Sequence, residues 1–130
     1  MKRSLTFAVC LCLTLPTFGA DSHCKANPNL IASCYVVRGR AFIAMGTPAH
    51  RIWVVGTKRV LGITASASAD DAEAPIAPHE LLKTLNVAPQ NPYGDFVFGD
   101  FEVCPFTTER KAEMQMVCVE KAEHLVGKPR

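Results

Sequence analysis

Apolar and polar side chains alternate from Tyr35 to Met45. Tyr35, Val37, Gly39, Ala41 and Ile43 share one parity, and Val36, Arg38, Arg40 and Phe42 share the other. Successive strand side chains point to opposite faces, so this run predicts a strand whose wet side carries Arg38 and Arg40 together. Gly46-Thr47-Pro48 follows as a turn. Arg51 to Ile63 predicts a hairpin, in which Ile52-Trp53-Val54-Val55 leads through Gly56-Thr57 into Lys58-Arg59-Val60-Leu61. Glycine first in a two-residue loop suits a type II′ turn, whose twist matches antiparallel strands. That register sets Trp53 opposite Val60 and Ile52 opposite Leu61, with apolar groups on both faces. It predicts a buried, central Trp53.

The remaining segments complete a β-rich pattern. Residues 21–33 are polar and contain Asn27-Pro28-Asn29, an arm or a turn. Residues 64–92 form a long loop, small and acidic at first and mobile by composition. Within it, Pro78 to Leu85 predicts two helical turns, with proline and an early glutamate as start signals. Phe96-Val97-Phe98 and Phe101 to Cys104 are strand-like around a break at Gly99-Asp100, and Pro105 marks an edge or an end. Phe96 and Phe98 share a parity that Phe101 joins only through a bulge at Gly99. Residues 107–113 are a charged connection, Met114 to Val119 is the last strong strand, and Glu120 to Arg130 is weak helix or coil. The fold expected is mainly β: a single antiparallel β-sandwich or small barrel, disulfide-stapled, with one short helix in the long central loop.

The start of the chain changes the charge picture. Met1-Lys2-Arg3 precedes an uncharged apolar run that Asp21 ends, the form of a signal peptide over residues 1–20. A single domain, residues 21–130, would remain, starting between Ala20 and His23. The whole chain carries a formal charge of +2. Without Lys2 and Arg3 the domain is neutral before its histidines, too weakly charged for a general nucleic-acid binder. The expected location is secreted or periplasmic, with no membrane span after cleavage.

Cys10 and Cys12 fall within the leader. Cys24, Cys34, Cys104 and Cys118 remain, an even number in an exported chain, and predict two disulfides. A local pairing of Cys104 with Cys118 and Cys24 with Cys34 competes with one that joins Cys34 to Cys104 or Cys118. No C-x-x-C is present to suggest a redox pair or a zinc ribbon.

Val37-Arg38-Gly39, Gly46-Thr47-Pro48, Ile52-Trp53 and Gly99-Asp100-Phe101-Glu102-Val103 resemble the strand openings and turn of transthyretin-like and carboxypeptidase-regulatory-like β-sandwich modules. The resemblance implies a sandwich fold and brings no functional residue with it. The chain is also similar in make-up to small secreted bacterial proteins, a likeness that implies location and no activity.

Catalytic and metal signatures do not emerge. Ser22, Ser33, Ser66 and Ser68 lie outside any G-x-S-x-G elbow. His23, His50, His79 and His124 make no i, i+2 or i, i+4 pair, so no metal or cofactor is called for. Asp100 and Glu102 share a strand face and are expected to partner Arg38, Arg40, Lys58 or Arg59. An enzyme would need distant residues such as His50, Asp100 and Glu102 to converge. Two features suit recognition. Arg38, Arg40, Arg51, Lys58 and Arg59 form a basic set fitted to carboxylate or phosphate, and Phe96 and Phe98 belong to an aromatic cluster suited to facing a partner. The expected function is a non-enzymatic binding module for a protein, a glycan or an envelope component. The alternatives are a small inhibitor of an extracellular hydrolase that presents the 64–92 loop, or a hydrolase with a dispersed site.

Overall fold

The computed structural model describes residues 22–130. The expected signal peptide, residues 1–20, lies outside them. Five strands and one helix follow in order: β1 (Tyr35–Ile43), β2 (His50–Val54), β3 (Val60–Ile63), α1 (His79–Thr84), β4 (Phe96–Pro105) and β5 (Gln115–Lys128). Hydrogen bonding closes them into a barrel in the order β1-β2-β3-β5-β4. The circuit is not wholly antiparallel as expected. β3 and β5 run parallel, Leu61 beside Gln115 and Ile63 beside Val117. A parallel pair needs a long crossover, which the segment carrying α1 and β4 supplies.

The alternation along β1 holds. Val37, Ala41 and Ile43 are buried, while Val36, Arg38, Arg40 and Phe42 point outward. The hairpin register is also as expected, Ile52 opposite Leu61 and Trp53 opposite Val60. Its turn differs from the type II′ expectation. The Thr57 amide donates to the Val54 carbonyl at 3.1 Å, placing Gly56 third in the turn with φ +80°. A glycine there permits the left-handed conformation in a wider loop of unchanged register.

Trp53 does not enter the core. Ile52 takes the inward position at 0% exposure, so its neighbour Trp53 faces out and is half-buried. Both faces of this hairpin are apolar, but a closed barrel has one interior, and the branched aliphatics fill it. The core joins Ile52, Leu61, Val97, Phe101, Val103, Val117 and Val119 to Leu81 and Leu85 of the helical segment.

β4 is one continuous strand, paired without a break to β1 from Tyr35–Val103 to Ala41–Val97. With no bulge at Gly99 on that side, Phe101 points in and Phe96 and Phe98 point out. The irregularities lie in the pairing with β5, near Phe98/Asp100 and Glu102/Val103. They accommodate the largest departure from expectation: residues 120–128 are strand, not weak helix or coil. β4 offers a row of backbone groups along its second edge, and this polar stretch satisfies them.

A second apolar cluster lies outside the barrel around Cys24, Cys104, Phe106, Met116 and Cys118, with Ile76 and Ala69 against it. Its disulfides join Cys24 to Cys118 and Cys34 to Cys104. The local pairing therefore fails and the long-range rival holds. Cys104 and Cys118 are cross-strand neighbours, but the N-terminal arm crosses both strands and gives each a partner. The closed loops span 94 and 70 residues. In the chain-entropy picture each such loop contributes about 4.5 kcal/mol, against about 2.7 kcal/mol for a ten-residue loop. The buried sulfurs of Cys24, Cys104 and Cys118 also lie close together, but each is committed to a disulfide.

The 64–92 loop, expected to be mobile, is tied down in its first half. Val119 donates its amide to the Ile76 carbonyl at 2.9 Å, and Thr64 donates to Val117 at 2.9 Å. Its small polar residues build successive turns, Ser68 N to Ser66 Oγ, Asp70 N to Ser68 Oγ and Ala72 N to Asp70 Oδ1.

Candidate ligand-binding face

The outer surface of β2, β1, β4 and β5 brings part of the basic set onto the aromatic pair. Arg40 is paired with Trp53 on one side and Phe98 on the other, and Phe98 with Val126 beyond. In the neighbouring row Phe42 is paired with Arg51, and Phe96 with Lys128. Cations and rings thus sit side by side on one outer face, Arg40 between Trp53 and Phe98, Arg51 beside Phe42 and Lys128 beside Phe96. Adjacent strands are about 4.8 Å apart, so neighbouring groups on this lattice touch.

Arg40 is the centre of the array. Its guanidinium carbon lies 4.2 Å from the Phe96 ring centroid, 5.0 Å from Trp53 and 5.6 Å from Phe42. The rings attract the cation through their quadrupoles, by about 0.5–2 kcal/mol per contact depending on desolvation. They also hold the planar group in place. Arg40 Nε is buried without an acceptor, and Arg40 has no carboxylate partner among the described residues. Arg130 extends the array over Phe96 at 5.1 Å and Tyr93 at 5.6 Å, and Lys128 lies over Phe98 at 5.8 Å. Beside Tyr93 and Arg130, a hollow of 240 Å³ is walled by Ile43, Ala44 and Met45. Trp53 is fixed by its indole N–H, which donates to the Thr57 carbonyl at 2.7 Å.

The expected basic set is divided. Arg38 shares the Arg40 face but is paired with Asp100 at 3.3 Å. Asp100 also meets His124 Nδ1 at 2.8 Å. That hydrogen bond is the largest influence and holds the Asp100 carboxyl below its usual value; desolvation opposes it, and the hydrogen bond and charge of Arg38 add to the lowering. Arg59 has inward parity and lies at the barrel end, where it donates to Tyr35 Oη at 3.1 Å and Gln115 Oε1 at 2.8 Å and pairs with Glu109 at 3.2 Å. Lys58 is exposed on a separate groove of 810 Å³ formed by residues 58–60 and 109–114. That larger groove carries Lys58, Arg59, Arg110 and Lys111 against Glu109 and Glu113, an excess of positive charge, but no aromatic ring among the described residues lines it. Glu102 pairs with Lys25 at 2.9 Å, not with the expected arginines or Lys58.

His50 does not converge with Asp100 and Glu102. His50 is paired with Ile43, and Asp100 with Arg38, five positions earlier along β1. That separation is about 16 Å, and His50 has inward parity where Asp100 and Glu102 face out. Burial lowers the His50 pKa, with the Asp71 charge acting the other way.

The sequence pointed to Arg40, Arg51, Phe96 and Phe98 but missed Phe42, Trp53, Lys128 and Arg130 as their companions. Phe42 was legible, since it shares the parity of Arg40. Lys128 and Arg130 were not, because nothing in their polar stretch announced a strand. No family model, no curated protein and no solved structure matches this chain.

Proposed function

We propose that this protein is an exported, non-enzymatic binding module, and that the outer face centred on Arg40 receives an anionic partner. The observation that carries this reading is the Arg40 guanidinium, pinned among three rings without an acidic partner. Lys128 and Arg130 add cations that likewise have no carboxylate partner among the described residues, while Arg51 donates to the Pro48 carbonyl at 2.9 Å and the Met45 carbonyl at 3.4 Å. A fixed planar cation beside apolar rings is suited to a carboxylate, phosphate or sulfate, which it can engage through two parallel hydrogen bonds. Little side-chain freedom is lost on binding, because the rings already order the guanidinium.

Two further observations support the reading. The strand order, with a helix between the third and fourth strands and a parallel β3·β5 pair, is the connectivity of the OB-type barrel, which hosts oligonucleotide and oligosaccharide binding. This is analogy at the level of fold and assigns no ligand; such barrels bind on the face of strands 2 and 3 and the β1–β2 and β4–β5 loops, so the likeness supports a binding role without placing it on the Arg40 face. Two disulfides fit an oxidising compartment, and no helix among the described residues is long and apolar enough to cross a membrane.

The test is titration with dextran sulfate as a generic polyanion. Binding should weaken as salt rises and fall about tenfold or more in Arg40→Gln. Arg40→Lys should restore only part of it, because lysine keeps the charge without the planar fork. Equal binding by wild type and Arg40→Gln would refute the assignment.

A further inference from the structure

We infer that the Cys34–Cys104 disulfide is a reaction site for an external dithiol, and that its reduction passes to the second disulfide by exchange. The remaining bond moves to Cys104–Cys118 and the N-terminal arm is released.

The four cysteines differ in access. Cys24, Cys104 and Cys118 are fully buried, whereas Cys34 is only partly so. A thiolate arriving from solvent therefore meets Cys34 first, because exchange requires access to the attacked sulfur. It forms a mixed disulfide with Cys34 and expels Cys104 as a thiolate. The reductant's second thiol then attacks the reductant's own sulfur in that mixed disulfide. Cys34 leaves as a thiol, and the dithiol, having given two electrons, becomes a disulfide. Both native disulfides persist while no thiol reaches Cys34.

The Cys104 sulfur is not left alone. It lies within 4.8 Å of both Cys24 Sγ and Cys118 Sγ. Attack on Cys118 forms Cys104–Cys118 and expels Cys24, which takes up a proton; this step needs no further electrons. The β4·β5 pairing sets Cys104 directly opposite Cys118. Opposed antiparallel residues have Cα atoms about 4.5–5.5 Å apart, inside the range of about 4.4–6.8 Å that a disulfide spans. The new bond therefore forms between strands already in place. Attack on Cys24 instead would free Cys118 beside the new bond, where the ladder holds it ready to reverse the step. Expelled Cys24 sits on a segment that can move away.

The arm's other ties are replaceable by water. The Ile31 amide donates to the Pro105 carbonyl at 3.1 Å, Lys25 meets Glu120 through its amide at 2.8 Å and Glu102 through its ammonium at 2.9 Å, and the Ser22 hydroxyl donates to the Val119 carbonyl. Leu30 packs on the cluster of Phe106 and Met116. Release returns chain entropy to the arm and uncovers that cluster. The barrel core contains neither residue, so it keeps its packing. The arm is thus a cover that opens when a dithiol gains access.

The experiment is a dithiothreitol titration of the oxidised protein, with thiols trapped by N-ethylmaleimide and mapped as non-reduced peptides. The single-disulfide species should contain Cys104–Cys118 and carry label at Cys24 and Cys34. Its Ile31 amide should lose hydrogen-exchange protection, with Trp53 fluorescence and circular dichroism unchanged. Cys34→Ser tests the exchange without reductant: it should carry label at Cys24, with Cys104 joined to Cys118. In the wild type, label at Cys34 and Cys104 with Cys24–Cys118 intact, or label at Cys24 and Cys118 with Cys34–Cys104 intact, would overturn the relay. Reduction that occurs only as the circular dichroism signal is lost would overturn it as well. Ile31 protection that persists in the exchanged form would overturn release of the arm. If Cys34→Ser does not fold, the wild-type titration decides.

Discussion

Replacing Gly39 with alanine should destabilise the barrel although the residue lies in ordinary strand backbone. Gly39 faces inward on β1, opposite Gly99 of β4. A β-carbon there would lie 2.5 Å from Ile52 Cγ2, 3.2 Å from Phe101 Cδ2 and 3.2 Å from the Trp53 carbonyl oxygen. Ile52 and Phe101 are both fully buried, so neither has room to retreat. Restricting the unfolded chain favours alanine by about 0.4–1 kcal/mol. Inserting a methyl group into a packed core costs about 1–3 kcal/mol. The collision should win, leaving a net loss of about 1–2 kcal/mol. For a domain of this size that lowers Tm by roughly 4–12 °C. Thermal unfolding followed by circular dichroism measures it. Ile52→Leu removes the branch at Cβ and with it the colliding methyl, so the double variant should lose less than the two single changes together. Gly127→Ala is the control, because its β-carbon would meet only Thr84 Cγ2 at an ordinary 3.5 Å and the Thr84 carbonyl oxygen at 3.7 Å. An unchanged or raised Tm in Gly39→Ala would refute the packing argument.

Other consequences follow from the same contacts. Non-reducing peptide mapping should recover Cys24 linked to Cys118 and Cys34 linked to Cys104, and a Cys104–Cys118 peptide would contradict the arm-over-sheet arrangement. Trp53→Ala should cost less than the about 3–5 kcal/mol typical of a buried tryptophan, because the ring is half-exposed on the outer face; a loss in that range by denaturant titration would return Trp53 to the core. Asp100 should titrate below its ordinary value by carboxyl NMR, and His124→Ala should move it upward by removing the largest cause of the shift. His50, whose neutral form the fold favours, should contribute stability that is present above its unfolded pKa near 6.5 and lost as pH falls through its lower folded value. His50→Gln should flatten that part of the pH–stability profile.

The parts of the fold legible in the sequence were those where a single pattern had a single reading. Alternation along β1 placed Val37, Ala41 and Ile43 inside and Arg38 and Arg40 outside. Gly56 fixed the centre of the hairpin, and hence its register, although its place in the turn was misread. Trp53 was misplaced because Ile52/Leu61 and Trp53/Val60 are both apolar pairs, and only closure of the sheet decides which enters the barrel. The tail was misread because residues 120–128 mix charged groups with Ala122, Leu125 and Val126 without strict alternation, and their strand character comes from β4 across the gap. Disulfide pairing depended on the path of the arm, which no local spacing encodes. The same limits shaped the site. Arg40, Phe96 and Phe98 could be named singly, whereas the meeting of Phe42, Trp53 and Phe96 around the Arg40 guanidinium depends on β1 lying between β2 and β4.

The central claim is that ligand is taken up on the outer face around Arg40. Amide and side-chain chemical-shift mapping with dextran sulfate at low and high salt tests it most directly. The expected result is a set of salt-sensitive shifts confined to Arg40, Phe42, Trp53, Phe96, Phe98, Lys128 and their neighbours, with the groove of Lys58, Arg110 and Lys111 silent. Shifts centred on that groove or on the 64–92 loop, with Trp53 and Arg40 unmoved, would contradict it.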